Sequence, residues 1–188
     1  EGDATIVDLL ERLAEHLEDP VLADVLGISF REKDGSVRQN PDRPFLTNEE
    51  LNALPFPVYS KEVVRGISNS VIVSSRGCPF ACDFCAVITQ FGSRYRFLDV
   101  DRSVELIEHT LRQTRKPIFF GDDNFCGHPA RTKAILERIL SKGIAMPPWG
   151  AQVRVEASQD AECLSLMRRA GCTRVYVGFE SINEETLK

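Results

Sequence analysis

The sequence lacks any apolar run approaching the roughly 20 residues that a membrane-spanning helix needs. It also lacks a basic excess, since 23 Lys and Arg against 28 Asp and Glu give a net charge of −5. The basic residues are scattered, which argues against a nucleic-acid-binding surface. The first residues, Glu1-Gly2-Asp3, do not have the form of a secretory signal. We therefore expect a cytoplasmic protein with no membrane span and no nucleic-acid partner.

A disulfide framework is also missing. The chain has six cysteines, but three of them crowd into the short stretch from Cys78 to Cys85. In a chain without secretory features, close cysteines indicate metal binding or catalysis more often than disulfides. The remaining three, Cys126, Cys163 and Cys172, stand apart, and we interpret them as small buried hydrophobic residues.

After residue 70 the sequence alternates short apolar segments with amphipathic ones, a pattern typical of alternating strands and helices. Strands are predicted at four places: 71–74, 117–121, 149–155 and 173–179. Helices are predicted between and after them: 104–114, 129–141, 160–170 and the start of one at 181–188. This alternation predicts an α/β fold with a parallel sheet, right-handed crossovers and about four βα units.

The first 60 residues are organised differently. An amphipathic helix is predicted over 5–18, and Asp34-Gly35 between short alternating runs predicts a hairpin. Residues 40–60 contain four prolines and are interpreted as a linker with a short helical turn at 48–53. The boundary between this segment and the βα array is placed at residues 60 and 61.

The segment that follows the first predicted strand carries the clearest chemical signal. It reads Arg76-Gly77-Cys78-Pro79-Phe80-Ala81-Cys82-Asp83-Phe84-Cys85, with C-x3-C-x2-C spacing. Thiolates suit iron–sulfur clusters because sulfur is a soft donor, and three cysteines on four irons leave one iron open. The alternative is a structural zinc site completed by Cys126 or His128, although zinc sites more often pair two C-x2-C units.

Polar residues also follow the other predicted strands, where parallel α/β folds place their chemistry. They are Asp122, Asp123 and Asn124 after the second, Gln152 and Arg154 on the third, and Glu180 and Ser181 after the fourth. Two adjacent acids can compensate an ammonium group, although an Asn at this position also suits a helix N-cap. An Arg inside a barrel needs an anionic partner, which a bound carboxylate or Glu180 could provide.

The cysteine loop, with Phe84 directly before Cys85, is similar to that of the radical S-adenosylmethionine superfamily, and the resemblance covers about residues 68–188. It implies a [4Fe–4S] cluster on Cys78, Cys82 and Cys85, with S-adenosylmethionine on the open iron and Phe84 lining the adenine pocket. The resemblance further implies cofactor contacts at the other strand ends. The acidic segment 122–124 would bind the methionine amino group, and Glu180 would lie near the ribose hydroxyls. For Arg154, which lies beside Gln152, the methionine carboxylate is one candidate partner, and a structural pair with Glu180 is the other. Ser181 belongs to the same segment as Glu180, or caps the following helix.

The Asp-Asp-Asn-Phe segment at 122–125 resembles the cobalamin-linked branch of this superfamily. Residues 1–60 resemble the tail of a cobalamin-binding domain with its linker, and 61–188 the N-terminal part of the radical barrel. The implied fold is a partial (β/α)6 TIM-like barrel of about four units, preceded by a small helix-hairpin-linker segment. We therefore expect a fragment that is marginal in isolation, with cobalamin bound by the full-length protein.

The implied activity is reductive cleavage of S-adenosylmethionine to a 5′-deoxyadenosyl radical, with an electron donor such as flavodoxin or ferredoxin and a small-molecule substrate. The cobalamin branch includes C-methylation and oxidative cyclisation, between which the sequence does not choose. Two alternatives stay open. One is a cobalamin-free relative such as a methylthiotransferase, and the other is a non-enzymatic module with structural zinc or a structural iron–sulfur cluster.

Overall fold

The computed structural model describes residues 1–17, 20–80, 82–183 and 185, which divide into two compact units. The first unit is Glu1–Leu46, and the second begins at Thr47. Within the described ranges, no helix combines the length and the apolar character needed to cross a membrane.

The first unit contains one helix and one hairpin. Helix α1 is Asp3–Glu15, and strands β1, Ser29–Arg31, and β2, Val37–Gln39, pair antiparallel. Gly35 takes a φ of +88° in the connecting turn, a backbone region that suits glycine. The predicted hairpin is thus confirmed, and the predicted helix is confirmed with an earlier start, at Asp3, and an earlier end, at Glu15.

The second unit has thirteen elements in its described residues. They are α2 Asn48–Ala53, α3 Lys61–Gly66, β3 Ser70–Ile72, β4 Ser75–Arg76, α4 Val87–Phe91, β5 Arg96–Phe97, α5 Val100–Gln113, β6 Ile118–Phe120, α6 Pro129–Ser141, β7 Trp149–Val153, a 3-10 helix Val155–Gln159, α7 Ala161–Arg169 and β8 Cys172–Val177. The predicted bounds of α2 and α6 agree with the structure to the residue.

The main sheet has four strands in the order β3-β6-β7-β8, and every neighbouring pair is parallel. Ile72 lies opposite Phe120, and Phe120 lies opposite Ala151, so the carboxyl ends of the strands share one edge. This arrangement confirms the predicted array of βα units. The small antiparallel ribbon of β4 and β5, which interrupts the first crossover, was not predicted.

The two faces of the sheet differ in burial because side chains alternate along a strand. Ile72, Phe120 and Trp149 are at most 1% exposed and form the core with buried residues of α5, α6 and α7. The opposite face is open: Val71 and Tyr176 are each nearly half exposed. The core therefore lies on the helical side of the sheet.

Two predicted elements differ from the structure. The third strand ends at Val153 and is followed by a 3-10 helix, so Arg154 lies just beyond the strand instead of within it. Half of the residues of the helix predicted at 181–188 lie outside the described residues, and the described ones, 181–183 and 185, are not helical. The assignment of residues 1–60 to the tail of a cobalamin-binding domain stays a prediction.

Candidate active site

Gly77 shapes the entry to the cysteine loop. It follows β4 with a φ of +81°, and a Cβ there would lie 2.5 Å from the carbonyl oxygen of Arg94 and 3.0 Å from that of Gly92. Both neighbours are backbone atoms that cannot swing aside. Only glycine fits this position, and it turns the chain into the loop.

Cys78, Cys82 and Cys85 are free, partly exposed thiols on this loop. The backbone N–H of Cys85 donates to the carbonyl oxygen of Cys82 at 3.0 Å, which closes a tight turn between these two cysteines. Partial burial raises the pKa of the Cys78 thiol, and the carboxylate of Asp123 adds to the effect. Among the side chains that the structure describes, no three His, Cys, Asp or Glu residues converge to hold a single metal ion. Three soft thiolates on one loop fit a four-iron cluster, in which each cysteine takes a separate iron.

Asp122 is fully buried behind the loop. Its carboxylate accepts from the Ser74 backbone N–H at 2.5 Å, the Ser74 hydroxyl at 2.6 Å and the Ser75 N–H at 3.0 Å. Burial raises the pKa of Asp122, and the hydrogen bonds from Ser74 and Ser75 oppose that shift. Its oxygens are directed at Ser74 and Ser75, so Asp122 positions the end of β3, and its role toward a cofactor stays a prediction.

Asp123 contacts the start of the cysteine loop at Gly77. Its Oδ2 accepts from the backbone N–H of Gly77 at 3.1 Å, and the residue is half-buried. Burial raises the pKa of Asp123, while the hydrogen bond from Gly77 lowers it. The two neighbouring aspartates therefore anchor the start of the cysteine loop from two directions.

Asn124 is 4% exposed, and its Oδ1 is buried without a hydrogen-bond partner in the described structure. Its backbone carbonyl accepts from the hydroxyl of Tyr95, which lies in the loop before β5. Burial raises the pKa of Tyr95 to about 12, so the hydroxyl stays a donor at neutral pH. The alternative interpretation, that Asn124 caps the next helix, does not hold, because the N-cap of α6 is His128. Tyr95 was missed, since nothing in the local sequence pattern distinguishes it.

Arg154 reaches the cysteine loop. Its Nη1 lies 3.6 Å from the Sγ of Cys82, and its guanidinium stacks over the ring of Phe80 at 4.0 Å. The ion-pair partner is Glu156, with contacts of 2.8 Å at Nη2 and 3.2 Å at Nε, and not Glu180. This ion pair raises the pKa of Arg154 and lowers that of Glu156. Glu156 follows Arg154 by two residues, which the 3-10 helix brings within reach.

The remaining predicted contacts are exposed, except Ser181, which is partly buried. Phe84 is 69% exposed, and the side chain of Gln152 lies on the open face of the sheet. Glu180 is exposed with a φ of 59°, which is uncommon for a residue with a Cβ. The hydroxyl of Ser181 accepts from the backbone N–H of Asn183 at 3.0 Å. Their roles toward a cofactor stay predictions.

A cavity of about 180 Å³ lies beside the loop. Its lining includes Phe80, Asn124, Cys126, Arg154, Glu156 and Cys163. The Sγ of Cys126 is 3.9 Å from that of Cys163, which is buried as predicted, whereas Cys126 and Cys172 are only partly buried.

Comparison with known proteins agrees with this geometry. Residues 72–188 match the profile of the Radical SAM superfamily. An uncharacterized methyltransferase of Pyrococcus horikoshii is 34% identical over the whole chain, which covers 40% of that protein. The anaerobic magnesium-protoporphyrin IX monomethyl ester cyclase of Synechocystis is 29% identical, and the chain covers 38% of it. The chain thus spans about two fifths of these relatives.

Solved structures share the architecture. The cobalamin-dependent S-adenosylmethionine radical enzyme OxsB, with aqua-cobalamin and S-adenosylmethionine bound, superposes with a TM-score of 0.76 at 25% identity. The match covers all of this chain and 28% of OxsB. The partial barrel expected for 61–188 is consistent with that similarity.

Proposed function

The chain belongs to the radical S-adenosylmethionine superfamily, and we propose that Cys78, Cys82 and Cys85 hold a [4Fe–4S] cluster in a radical enzyme. The observation that carries the proposal is the anchored cysteine loop, which leaves β4 through Gly77 and is held by Asp122 and Asp123. When bound, the cluster and S-adenosylmethionine supply an electron and a 5′-deoxyadenosyl radical for hydrogen abstraction from a substrate carbon.

The residues around the loop have the chemistry to orient S-adenosylmethionine. Three cysteines leave one iron of a cubane for the amino and carboxylate groups of the methionine moiety. Among the described residues, the buried Oδ1 of Asn124 has no hydrogen-bond partner, and it would gain a hydrogen bond from an ammonium group. Asp123, the preceding residue, contributes a carboxylate to the same segment, to which we assign the methionine amino group.

Four further residues complete the proposed cofactor site. The ring of Phe84 is free to pack on adenine, and Glu180 can accept hydrogen bonds from ribose hydroxyls. Gln152 and Ser181 provide polar groups at neighbouring strand ends. A small-molecule substrate and a flavodoxin or ferredoxin as electron donor complete this proposal.

The relatives support a cobalamin-dependent C-methylation or oxidative cyclisation, since they include a methyltransferase, a cyclase and a cobalamin-dependent radical enzyme. In this proposal residues 1–60 form the tail of a cobalamin-binding domain. Cobalamin that co-purifies with the full gene product, seen in its visible absorption, would support this assignment. A gene product that binds no added cobalamin would favour the cobalamin-free alternative.

Anaerobic reconstitution tests the cluster. We expect a [4Fe–4S] cluster whose electron paramagnetic resonance signal, after reduction, changes on addition of S-adenosylmethionine because one iron lacks a cysteine. Cys82→Ala should abolish the cluster. Cys172→Ala is the matched control, because it removes a thiol of β8 whose Sγ contacts only its own strand, at the Arg174 carbonyl, among the contacts described. Stoichiometric zinc without such a signal, or a cluster retained in Cys82→Ala, would refute the proposal.

A further inference from the structure

We propose that Arg154 tunes the reduction potential of the cluster by donating an N–H···S hydrogen bond to the thiolate of Cys82. The inference rests on the proposed function, since it requires a cluster on that cysteine. It assigns Arg154 to the metal site instead of to the methionine carboxylate.

The position of the guanidinium supports this assignment. Its Nη1 lies 3.6 Å from the Sγ of Cys82, a distance suited to the large, diffuse sulfur acceptor. Nε and Nη2 are both engaged by Glu156, at 3.2 and 2.8 Å. This bidentate pairing occupies one edge of the planar group and directs the Nη1 edge toward the sulfur.

Phe80 provides a second contact between Arg154 and the cysteine loop. Phe80 lies between Cys78 and Cys82 in the sequence, and the centroid of its ring is 4.0 Å from the guanidinium carbon of Arg154. Arginine stacks well on aromatic faces, so the cation and the sulfur are held by the same short stretch of chain. Arg154 therefore contacts the loop at two points, Cys82 and Phe80, and its ion pair with Glu156 fixes the orientation of the guanidinium.

The sign of the effect follows from charge. Reduction adds an electron to the cluster, and a nearby cation or N–H donor stabilises the electron-rich state and raises the potential. The side chains of Arg154 and Glu156 are 36% and 51% exposed, so water screens part of the charge. We therefore expect a moderate effect in which the directed hydrogen bond matters more than the net charge.

The experiment is a redox titration of the reconstituted cluster in the absence of S-adenosylmethionine. Electron paramagnetic resonance measures the reduced cluster at each potential. At a fixed applied potential, Arg154→Gln should lower the ratio of reduced to oxidised cluster by about three- to tenfold, where tenfold is about 59 mV for one electron. Arg154→Lys, which keeps the charge but loses the planar fork, should lower the ratio less. Arg174→Gln is the matched control, because Arg174 is an exposed arginine on β8 that donates to Tyr176.

The outcomes separate the two proposals. A wild-type ratio in Arg154→Gln, or an equal fall in Arg174→Gln, overturns the tuning role while the cluster stands. Weaker S-adenosylmethionine binding with an unchanged cofactor-free ratio would return Arg154 to the methionine carboxylate. If Arg154→Gln binds no cluster, the Arg154→Lys variant is the test. A wild-type ratio of reduced to oxidised cluster in Arg154→Lys would overturn the proposed role of the hydrogen bond. A wild-type chain that forms no cluster refutes the proposed function instead.

Discussion

Asp122 and Asp123 are neighbours in sequence but lie in different environments. Asp122 is fully buried and accepts three hydrogen bonds from Ser74 and Ser75, whereas half-buried Asp123 accepts one from Gly77. The buried guanidinium of Arg131 donates to the Ser74 carbonyl at 2.9 Å and places positive charge near Asp122. A carboxylate is the group that satisfies this set of donors, because it only accepts.

Asp122→Asn tests this difference at the residue scale. Asn would remove the negative charge near the buried guanidinium of Arg131, and its N–H₂ would replace the oxygen that accepts from the Ser74 hydroxyl, so we expect a loss of about 3 kcal/mol in unfolding free energy. Asp123→Asn, the matched control, should cost about 1 kcal/mol or less, since only one hydrogen bond is affected. Urea denaturation at neutral pH measures both, and equal losses would contradict the positioning role of Asp122.

At the scale of elements, the small ribbon of β4 and β5 supports the cysteine loop. Helix α2 holds this ribbon through two amide side chains: Asn48 Oδ1 accepts from the Phe97 N–H, and Asn52 Oδ1 accepts from the Asp99 N–H. A capping box at Thr47 begins the helix. The helical turn predicted in the linker, α2, thus also stabilises the β4–β5 ribbon next to the candidate site.

Gly77→Ala should disturb this element. A Cβ would meet the carbonyl oxygens of Arg94 and Gly92 and strain a positive φ, so we expect a loss of about 2–3 kcal/mol and lower iron content after reconstitution. Gly143→Ala is the control, because Gly143 also has a positive φ but open space around its Cα. It should cost about 1 kcal/mol and leave the iron content unchanged. Equal iron content in the two variants would argue against a role for Gly77 in shaping the loop.

At the scale of the whole molecule, the sheet is packed on one face and open on the other. Phe120 is 1% exposed and packs against Phe125 and Trp149, with ring centroids 4.7 and 5.1 Å apart. Phe119, the preceding residue, points to the open face, where its ring meets that of Tyr176 edge-on at 5.7 Å. The open face lies on the side that a closed barrel would enclose.

Alanine substitutions at these two adjacent positions compare the faces directly. Phe120→Ala should lower the free energy of unfolding by about 3–5 kcal/mol, because it leaves a cavity in the packed core. Phe119→Ala should cost about 1 kcal/mol, since its ring is only partly buried, and should reduce the binding of a hydrophobic dye. Chemical denaturation and dye fluorescence measure the two effects. Similar losses at both positions would show that the open face is packed in solution.

Most of the fold could be predicted because it follows from local periodicity. Apolar spacing located the four parallel strands and the helices after them. Helix α6 begins at Pro129 and ends at Ser141, as predicted. The ribbon could not be found in this way, since strands of two residues carry no period and depend on the pairing of Ser75 with Phe97. The same limit applies to Tyr95, whose hydrogen bond to Asn124 spans 29 residues.

The sequence by itself determined the parallel α/β array and the C-x3-C-x2-C spacing, because both depend on residues close together in the chain. Only the tertiary structure decided that Asp122 is a buried anchor, that Glu156 and not Glu180 pairs with Arg154, and that Arg154 reaches the sulfur of Cys82. These facts depend on burial and on contacts across as many as 72 residues. A one-dimensional pattern records which groups are present, whereas packing decides which of them meet.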